Sequence, residues 1–136
     1  MKKVRGYIFS RPFMGERVPQ HVQNLVIRDY CNRNGLQYLL SATEYAMAEC
    51  YLIHEQVLNE LAELDGIVAY SIFQLPENAY NRKKIYQQVI KQQKIYHFAV
   101  EGLRFNDAAG SDRIEMLWQT KETLPFCYQV NDLTSN

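Results

Sequence analysis

The sequence lacks several features that mark common classes of protein. Its three cysteines, Cys31, Cys50 and Cys127, are odd in number and far apart, which argues against a disulfide framework or a zinc site and favours free buried thiols. No apolar run approaches the length of a membrane span, and the basic residues at the start are not followed by the apolar region of a signal peptide. We therefore expect a cytoplasmic protein with no membrane segment.

An excess of charge of one sign is also missing. Lys and Arg together number 15, as do Asp and Glu, so the formal net charge is zero. Proteins that bind nucleic acid through its phosphates normally carry a basic excess, so the composition predicts no nucleic-acid partner. Walker, GxGxxG, HExxH and GxSxG motifs are absent as well. We predict no cofactor and no bound metal.

What the sequence does contain fits one ordinary globular domain. A chain of 136 residues has the length of a single domain, and we assign residues 1–136 to one α/β domain with an irregular tail from about residue 123. Its ten tyrosines supply large, half-polar side chains of the kind found in pockets and subunit contacts. With Trp118 and Phe126 expected on the surface, they predict a homo-oligomer.

Apolar strand patterns alternate with helical periodicity along the chain. The predicted strands are residues 4–10, 36–40, 67–73 and 95–100. The predicted helices begin at Pro19, near residue 46, after the turn at residues 75–78, and near Ser111, with Arg82 on the outer face of the third. This alternation predicts a three-layer α/β/α sandwich whose mostly parallel sheet has the flavodoxin-like order 2-1-3-4.

Polar residues follow the predicted strands, and the carboxyl ends of parallel strands share one edge of a sheet, where ligands bind. The predicted ligand-binding residues are Ser10, Arg11, Arg17, Ser41, Glu49, Ser71 and Gln74. Arginine matches phosphate oxygens in a bidentate manner, and the helix that begins at Pro19 directs its N-terminal dipole toward an anion. The pattern is therefore typical of a site for a phosphorylated or polyhydroxyl ligand.

Acid–base groups are expected at the same edge. We predict Glu44, Tyr45 and Glu101 as catalytic residues for an isomerisation, an epimerisation or a transfer. Each polar residue also has a structural interpretation, such as an ion pair of Arg11 with Glu49 or Glu101. The cluster as a whole favours a site, because structural needs rarely place so many polar groups on one edge.

Part of the chain resembles the catalytic domain of the serine recombinases, the resolvases and invertases. The similar segments are Gly6-Tyr7, residues 23–31 and residues 65–68. The recombinase strand reads Tyr-x-Arg-x-Ser, whereas here the arginine position holds Phe9 and the serine position holds Arg11. A later Asp-Arg-Leu-x-Arg segment aligns with residues 73–77, which contain neither arginine. The resemblance implies the resolvase-like strand order but not the recombinase chemistry.

A second resemblance covers most of residues 5–101. The chain is similar to a family of short proteins encoded sporadically in bacterial surface-carbohydrate gene clusters. The similar segments are residues 5–12, 17–24, 39–47, 75–77 and 97–101. This resemblance implies a role in lipopolysaccharide, O-antigen or capsule assembly.

Three functions are open from the sequence. The first is surface-polysaccharide biosynthesis, in which the chain binds and transforms a sugar phosphate or a nucleotide-linked sugar. The second is a non-catalytic adaptor or sensor for a sugar-biosynthesis enzyme. The third is a degenerate recombinase-like domain with a nucleic-acid role, which the zero net charge and the missing arginines disfavour.

Overall fold

The computed structural model describes residues 1–47 and 49–134, with side chains described only up to residue 121. Within these residues the chain forms five strands, four helices and two short 3₁₀ turns, at Leu61–Glu63 and Ile72–Gln74. The strands and helices are β1 (Lys2–Phe9), α1 (Gln20–Arg33), β2 (Leu36–Glu44), α2 (Leu52–Asn59), β3 (Gly66–Ala69), α3 (Ala79–Lys91), β4 (Ile95–Phe98), β5 (Leu103–Phe105) and α4 (Ala108–Thr134). None of the described helices is both long and apolar enough to cross a membrane.

The strands form one sheet with the order β2-β1-β3-β4-β5. β1, β2, β3 and β4 are parallel, and β5 is antiparallel to β4. This arrangement confirms the predicted mostly parallel sheet with β1 inside it and the order 2-1-3-4. The sequence pattern missed β5 because three residues are too few to show a period.

Helices cover both faces of the sheet, so β1 is buried on both sides. Val4 and Ile8 pack with Ile27 and Tyr30 of α1 on one face. The other face carries Tyr7 and Phe9, and α2, α3 and α4 cover it in a larger apolar core. Successive side chains of a strand point to opposite faces, which explains this division. The three-layer prediction is therefore confirmed.

The pairing of β1 with β2 contains a bulge. Arg5 lies opposite Leu39 and Tyr7 opposite Ala42, so β2 has one extra residue beside Gly6. A Cβ atom on Gly6 would overlap the Ser41 hydroxyl, which explains why a glycine is needed there. Pairing resumes beyond the bulge and continues to Glu44. The predicted end of the second strand at residue 40 is therefore wrong.

The second helix starts later than its pattern predicts. Periodicity places the start near residue 46, but α2 begins at Leu52, and the described residues between Glu44 and Leu52 lie in a loop, in which Glu49 has a φ of 59°. The predicted third strand also ends early, at Ala69, and a 3₁₀ turn follows. Both differences lengthen the loops at the carboxyl edge of the sheet.

The last two helices contain side chains that were predicted to be exposed. Arg82 of α3 and Trp118 of α4 are each only 1% exposed. Trp118 donates a hydrogen bond from its indole nitrogen to the Ile72 carbonyl at 2.8 Å. Both predictions of exposure are wrong, because partners distant in sequence cover these residues.

α4 also continues to Thr134, through the segment predicted to be irregular. Phe126 and Cys127 lie outside the described side chains.

Candidate functional site

Two buried glutamines hold the end of β1 in place. The Gln23 side chain accepts a hydrogen bond from the Phe9 amide at 3.0 Å and donates to the Phe9 carbonyl at 2.9 Å. Gln74 donates from its side-chain nitrogen to the Gln23 oxygen at 2.7 Å. Because satisfied buried polar networks are rigid, the backbone that leads into Ser10 and Arg11 is fixed against α1 and the turn after β3.

Arg11 is buried at the end of this strand. Its side chain is 9% exposed, and its guanidinium carbon lies 4.1 Å from the centroid of the Phe9 ring and 5.0 Å from that of Tyr51. Nη1 donates to the Tyr45 carbonyl at 2.8 Å. Nη2 is buried and has no hydrogen-bond partner among the described residues. A buried donor without an acceptor costs about 1–3 kcal/mol, and more when it is charged.

A concave cavity of 190 Å³ opens beside this guanidinium. We call it the Arg11 pocket. Its aromatic residues are Phe9, Phe13, Tyr51 and Phe73, and its acidic residues are Glu49 and Glu77. None of the described carboxylates lies within ion-pair distance of Arg11. Burial raises the pKa of Tyr51, while the nearby guanidinium opposes that rise. The pocket therefore combines one buried cation with aromatic walls.

A second cavity of 250 Å³ adjoins the Arg11 pocket. The two share Glu49, Tyr51 and Glu77, and the second extends to the start of α3 at Asn78. The Asn78 side-chain oxygen already accepts hydrogen bonds from the amides of Tyr80 and Asn81. The α3 N-terminus is therefore capped by its own chain.

Glu44 lies close to Arg11 but has a different environment. It is 1% exposed, and several donors surround its carboxylate. The donors are the Tyr7 hydroxyl at 2.8 Å and the backbone amides of Tyr45 at 3.2 Å, Ile53 at 3.0 Å and His54 at 3.1 Å. Burial and this carboxylate together raise the pKa of Tyr7. Through the Ile53 and His54 amides, Glu44 caps the N-terminus of α2. The sequence does not predict this cap, because a capping side chain normally comes from the residue next to the helix and Glu44 lies eight residues before it.

Ser71, Gln74 and Glu101 form a second cluster, between the loops that follow β3 and β4. The Ser71 hydroxyl donates to the Glu101 carboxylate at 2.8 Å, and the Ile72 amide donates to the same group at 2.9 Å. Ser71 and Gln74 also form a reciprocal capping box around the 3₁₀ turn. These contacts link two neighbouring loops, and none of them includes Arg11.

The remaining predicted site residues are scattered over the edge. The Ser10 hydroxyl donates to the Glu44 carbonyl at 2.6 Å. Tyr45 is 51% exposed, and Arg17 is exposed on the loop before α1. The Ser41 hydroxyl is 2.6 Å from that of Tyr38, within β2 and outside the Arg11 pocket. Of the predicted binding residues, Arg11 and Glu49 line the pocket.

Several residues of the site were missed from the sequence. Gln23 lies on a predicted helix with no pattern that marks it as a site residue. The patterns place Tyr51 in a helix and Phe73 in a strand, where the structure has a loop and a 3₁₀ turn, and they place Glu77 in the turn before the third helix. One feature of the sequence could have indicated an aromatic pocket around Arg11. Phe9 and Phe13 lie two residues before and two residues after it. That spacing gives no information about rings contributed by other loops.

No protein-family model matches the chain, and no curated protein does. Similarity appears among solved structures. A resolvase family site-specific recombinase from Streptococcus pneumoniae aligns with a TM-score of 0.62 and 7% identity over 97% of both chains. The N-terminal catalytic domain of TP901-1 integrase aligns with a TM-score of 0.56 and 16% identity over 87% of this chain and 94% of that one. The fold resembles that of resolvase domains.

These neighbours correct the functional predictions. The assignment to surface-polysaccharide biosynthesis is wrong, because the structures that share the fold are a recombinase and an integrase domain. The predicted sugar ligand and the predicted absence of a nucleic-acid partner are corrected for the same reason. The resemblance to the surface-carbohydrate family has no support among the matches. The resemblance to the resolvase fold is confirmed.

Proposed function

We propose that the chain is a nucleic-acid-binding domain with the resolvase fold, in which Arg11 holds a backbone phosphate. The solved structures that share the fold are a site-specific recombinase and an integrase catalytic domain. Arg11 follows β1, an inner strand of the mostly parallel sheet, next to the reversal of strand order, which is where α/β sheets bind ligands. Fold and location together support a nucleic-acid ligand at this edge.

The observation that carries the proposal is the unpartnered nitrogen of Arg11. Nη1 is held by a carbonyl, two aromatic rings contact the guanidinium, and Nη2 is buried without an acceptor among the described residues. A phosphate oxygen that enters the pocket would satisfy Nη2 through a charge-assisted hydrogen bond. Such bonds contribute about 1.5–3 kcal/mol. Aromatic contacts hold the guanidinium in place, so little side-chain entropy is lost on binding.

The same geometry does not support nucleophilic attack by a serine. The serine position of the recombinase strand pattern holds Arg11 in this chain. The neighbouring Ser10 hydroxyl donates a hydrogen bond to the Glu44 backbone carbonyl, which cannot act as a general base. We therefore propose binding without strand cleavage at this site.

The zero net charge of the chain limits its expected affinity for nucleic acid. With 15 basic and 15 acidic residues the chain has no overall attraction for a polyanion. Binding then depends on a few local contacts, and each neutralised phosphate contributes about 0.9 to the slope of log K against log salt. The proposal predicts a shallow salt dependence and a large effect of a single arginine.

Fluorescence anisotropy with a labelled DNA duplex, in salt from about 50 to 200 mM, tests the proposal. The variant is Arg11→Gln, which keeps a polar side chain but is shorter and loses the charge. We expect the wild type to bind and Arg11→Gln to weaken binding by about 10- to 150-fold, the factor for one charge-assisted bond.

Arg33→Gln is the matched control. Arg33 is exposed, pairs with Asp29 at 2.8 Å, and lies at the end of α1, away from the pocket. It removes the same charge and should leave affinity within about twofold, as expected for an exposed ion pair. Absence of DNA binding at the lowest salt, or equal losses in both variants, would overturn the proposal.

A further inference from the structure

We propose that the Arg11 pocket and its adjoining cavity hold one unpaired nucleotide of the nucleic acid, with its phosphate on Arg11 and its base between the aromatic walls. The inference rests on the proposed function and specifies the part of the ligand that enters the site. The juxtaposition that supports it is a buried guanidinium, half-buried rings and two carboxylates around one opening.

The phosphate is assigned to Arg11 rather than to the start of α3. Both face this region, and a helix N-terminus attracts anions through its free amides. Asn78 already satisfies the amides of Tyr80 and Asn81, whereas Nη2 of Arg11 has no acceptor among the described residues. A hydrogen bond to a phosphate oxygen is therefore more favourable at Nη2 of Arg11 than at the α3 amides.

The aromatic rings are available to a base. Phe9 is buried beneath the guanidinium, but Phe13, Tyr51 and Phe73 are each half-buried and line the cavity. Stacking of bases on aromatic side chains is the usual means of binding unpaired nucleotides, and it tolerates any base. Stacked bases of a closed duplex cannot use such rings, so the pocket selects an unpaired nucleotide.

The acidic residues add a preference among bases. Glu49 and Glu77 are exposed carboxylates on the wall shared by the two cavities. A carboxylate only accepts hydrogen bonds, and guanine presents two adjacent donors, N1–H and the exocyclic amine, on its pairing edge. Thymine presents one. We therefore expect guanine to be preferred over thymine.

Size supports a whole nucleotide rather than a phosphate alone. The cavities measure 190 and 250 Å³. Sites for small organic ligands span about 300–1,000 Å³, a range that the two cavities reach only together. Inorganic phosphate would leave the aromatic part empty and would bring its charge close to the two carboxylates without the compensating stacking.

Titration calorimetry with guanosine monophosphate, thymidine monophosphate and inorganic phosphate tests the inference. Guanosine monophosphate should bind more tightly than thymidine monophosphate, and both more tightly than phosphate. Phe13→Leu, which keeps an apolar side chain but removes the ring, should weaken binding of guanosine monophosphate by about tenfold, as expected for one stacked base. Phosphate binding should be unchanged in that variant. Tyr80→Ala, an exposed ring on α3, is the control and should bind like the wild type.

Duplex DNA with and without a single-stranded guanine overhang separates this inference from the proposed function. Preference for the overhang that disappears in Phe13→Leu supports the inference. Equal binding of blunt and overhang DNA, both dependent on Arg11, overturns the inference and leaves the proposed function standing. Binding of guanosine monophosphate without binding of any DNA supports the pocket and overturns the proposed function. Absence of binding by either nucleotide to the wild-type protein overturns the inference.

Discussion

Two charged residues at the ends of neighbouring strands, Glu44 and Arg11, differ in how fully their side chains are hydrogen-bonded. The Glu44 carboxylate accepts hydrogen bonds from a tyrosine hydroxyl and three backbone amides. Arg11 has one carbonyl partner for Nη1 and none for Nη2 among the described residues. The satisfied group stabilises the fold, whereas the unsatisfied group is left with capacity for a ligand. Both residues follow predicted strands, and only the structure distinguishes them.

The contacts of Glu44 lead to a prediction about stability. Glu44→Gln places an amide nitrogen against donors that need an acceptor, so we expect the free energy of unfolding to fall by about 2–4 kcal/mol. Urea unfolding followed by circular dichroism measures the loss. Glu55→Gln, on the exposed side of the same helix, should change stability by less than about 0.5 kcal/mol. If Glu44→Gln is as stable as the wild type, Glu44 does not cap α2.

At the scale of elements, the sequence predicts well what depends on short-range patterns. The alternation of apolar strands and helical stripes predicts the parallel sheet, its order and the location of Arg11 at an inner strand end. The prediction fails where a residue far away in the sequence determines where a helix begins or whether a side chain is buried. The first turn of α2 donates its Ile53 and His54 amides to Glu44. Buried Arg82 pairs with Glu115, which is 33 residues away in the sequence. The walls of the pocket come from such loops, so the pattern could not reveal them.

The contact between α3 and α4 provides a prediction at this scale. Arg82 donates to both carboxylate oxygens of Glu115, at 2.8 and 2.7 Å, and also to the Pro76 and Glu77 carbonyls. Its hydrogen bonds hold the pKa of Glu115 below the usual value, and burial opposes that shift. Glu115→Ala leaves a buried charge without its carboxylate, so unfolding free energy should fall by about 3–5 kcal/mol.

Asp112→Asn, at an exposed position on the same helix, is the control for that measurement. It should unfold within about 0.5 kcal/mol of the wild type. Because the pKa of Glu115 is lowered in the folded state, its stabilising contribution should disappear as the pH falls through that lowered value. A Glu115→Ala protein with wild-type stability at neutral pH would contradict this interpretation of the α3–α4 contact.

At the scale of the whole molecule, two buried histidines connect the sheet to its helices. His54 is 2.8 Å from the Tyr96 hydroxyl, and His97 is 2.8 Å from that of Tyr30. Burial lowers the pKa of His54 to about 4, against the opposing effect of Glu44. Burial also lowers the pKa of His97 to about 4, helped by the charges of Arg104 and Lys2. Both histidines are therefore neutral in the folded protein at neutral pH.

This neutrality predicts how stability depends on pH. Below about 6.5 the unfolded chain takes up protons at these two positions and the folded chain does not, so unfolding becomes easier as pH falls toward 4. Each histidine should account for roughly 3 kcal/mol of that loss. Urea unfolding at a series of pH values measures it. His97→Asn should flatten the slope, whereas the exposed His21→Gln should not. A stability that is constant from pH 7 to about 4 would show that neither histidine is held neutral.

The central claim, that Arg11 binds a backbone phosphate, is tested most directly by nuclear magnetic resonance of the arginine side chains. The Nε–Hε signal of Arg11 is assigned by comparison with Arg11→Lys and followed during titration with a short DNA duplex that carries an overhang. The account predicts that the Arg11 signal shifts and saturates with the DNA, while the signal of the distant, exposed Arg33 stays in place. An Arg11 signal that does not move while other signals report bound DNA would contradict the account, as would the absence of any shift at low salt.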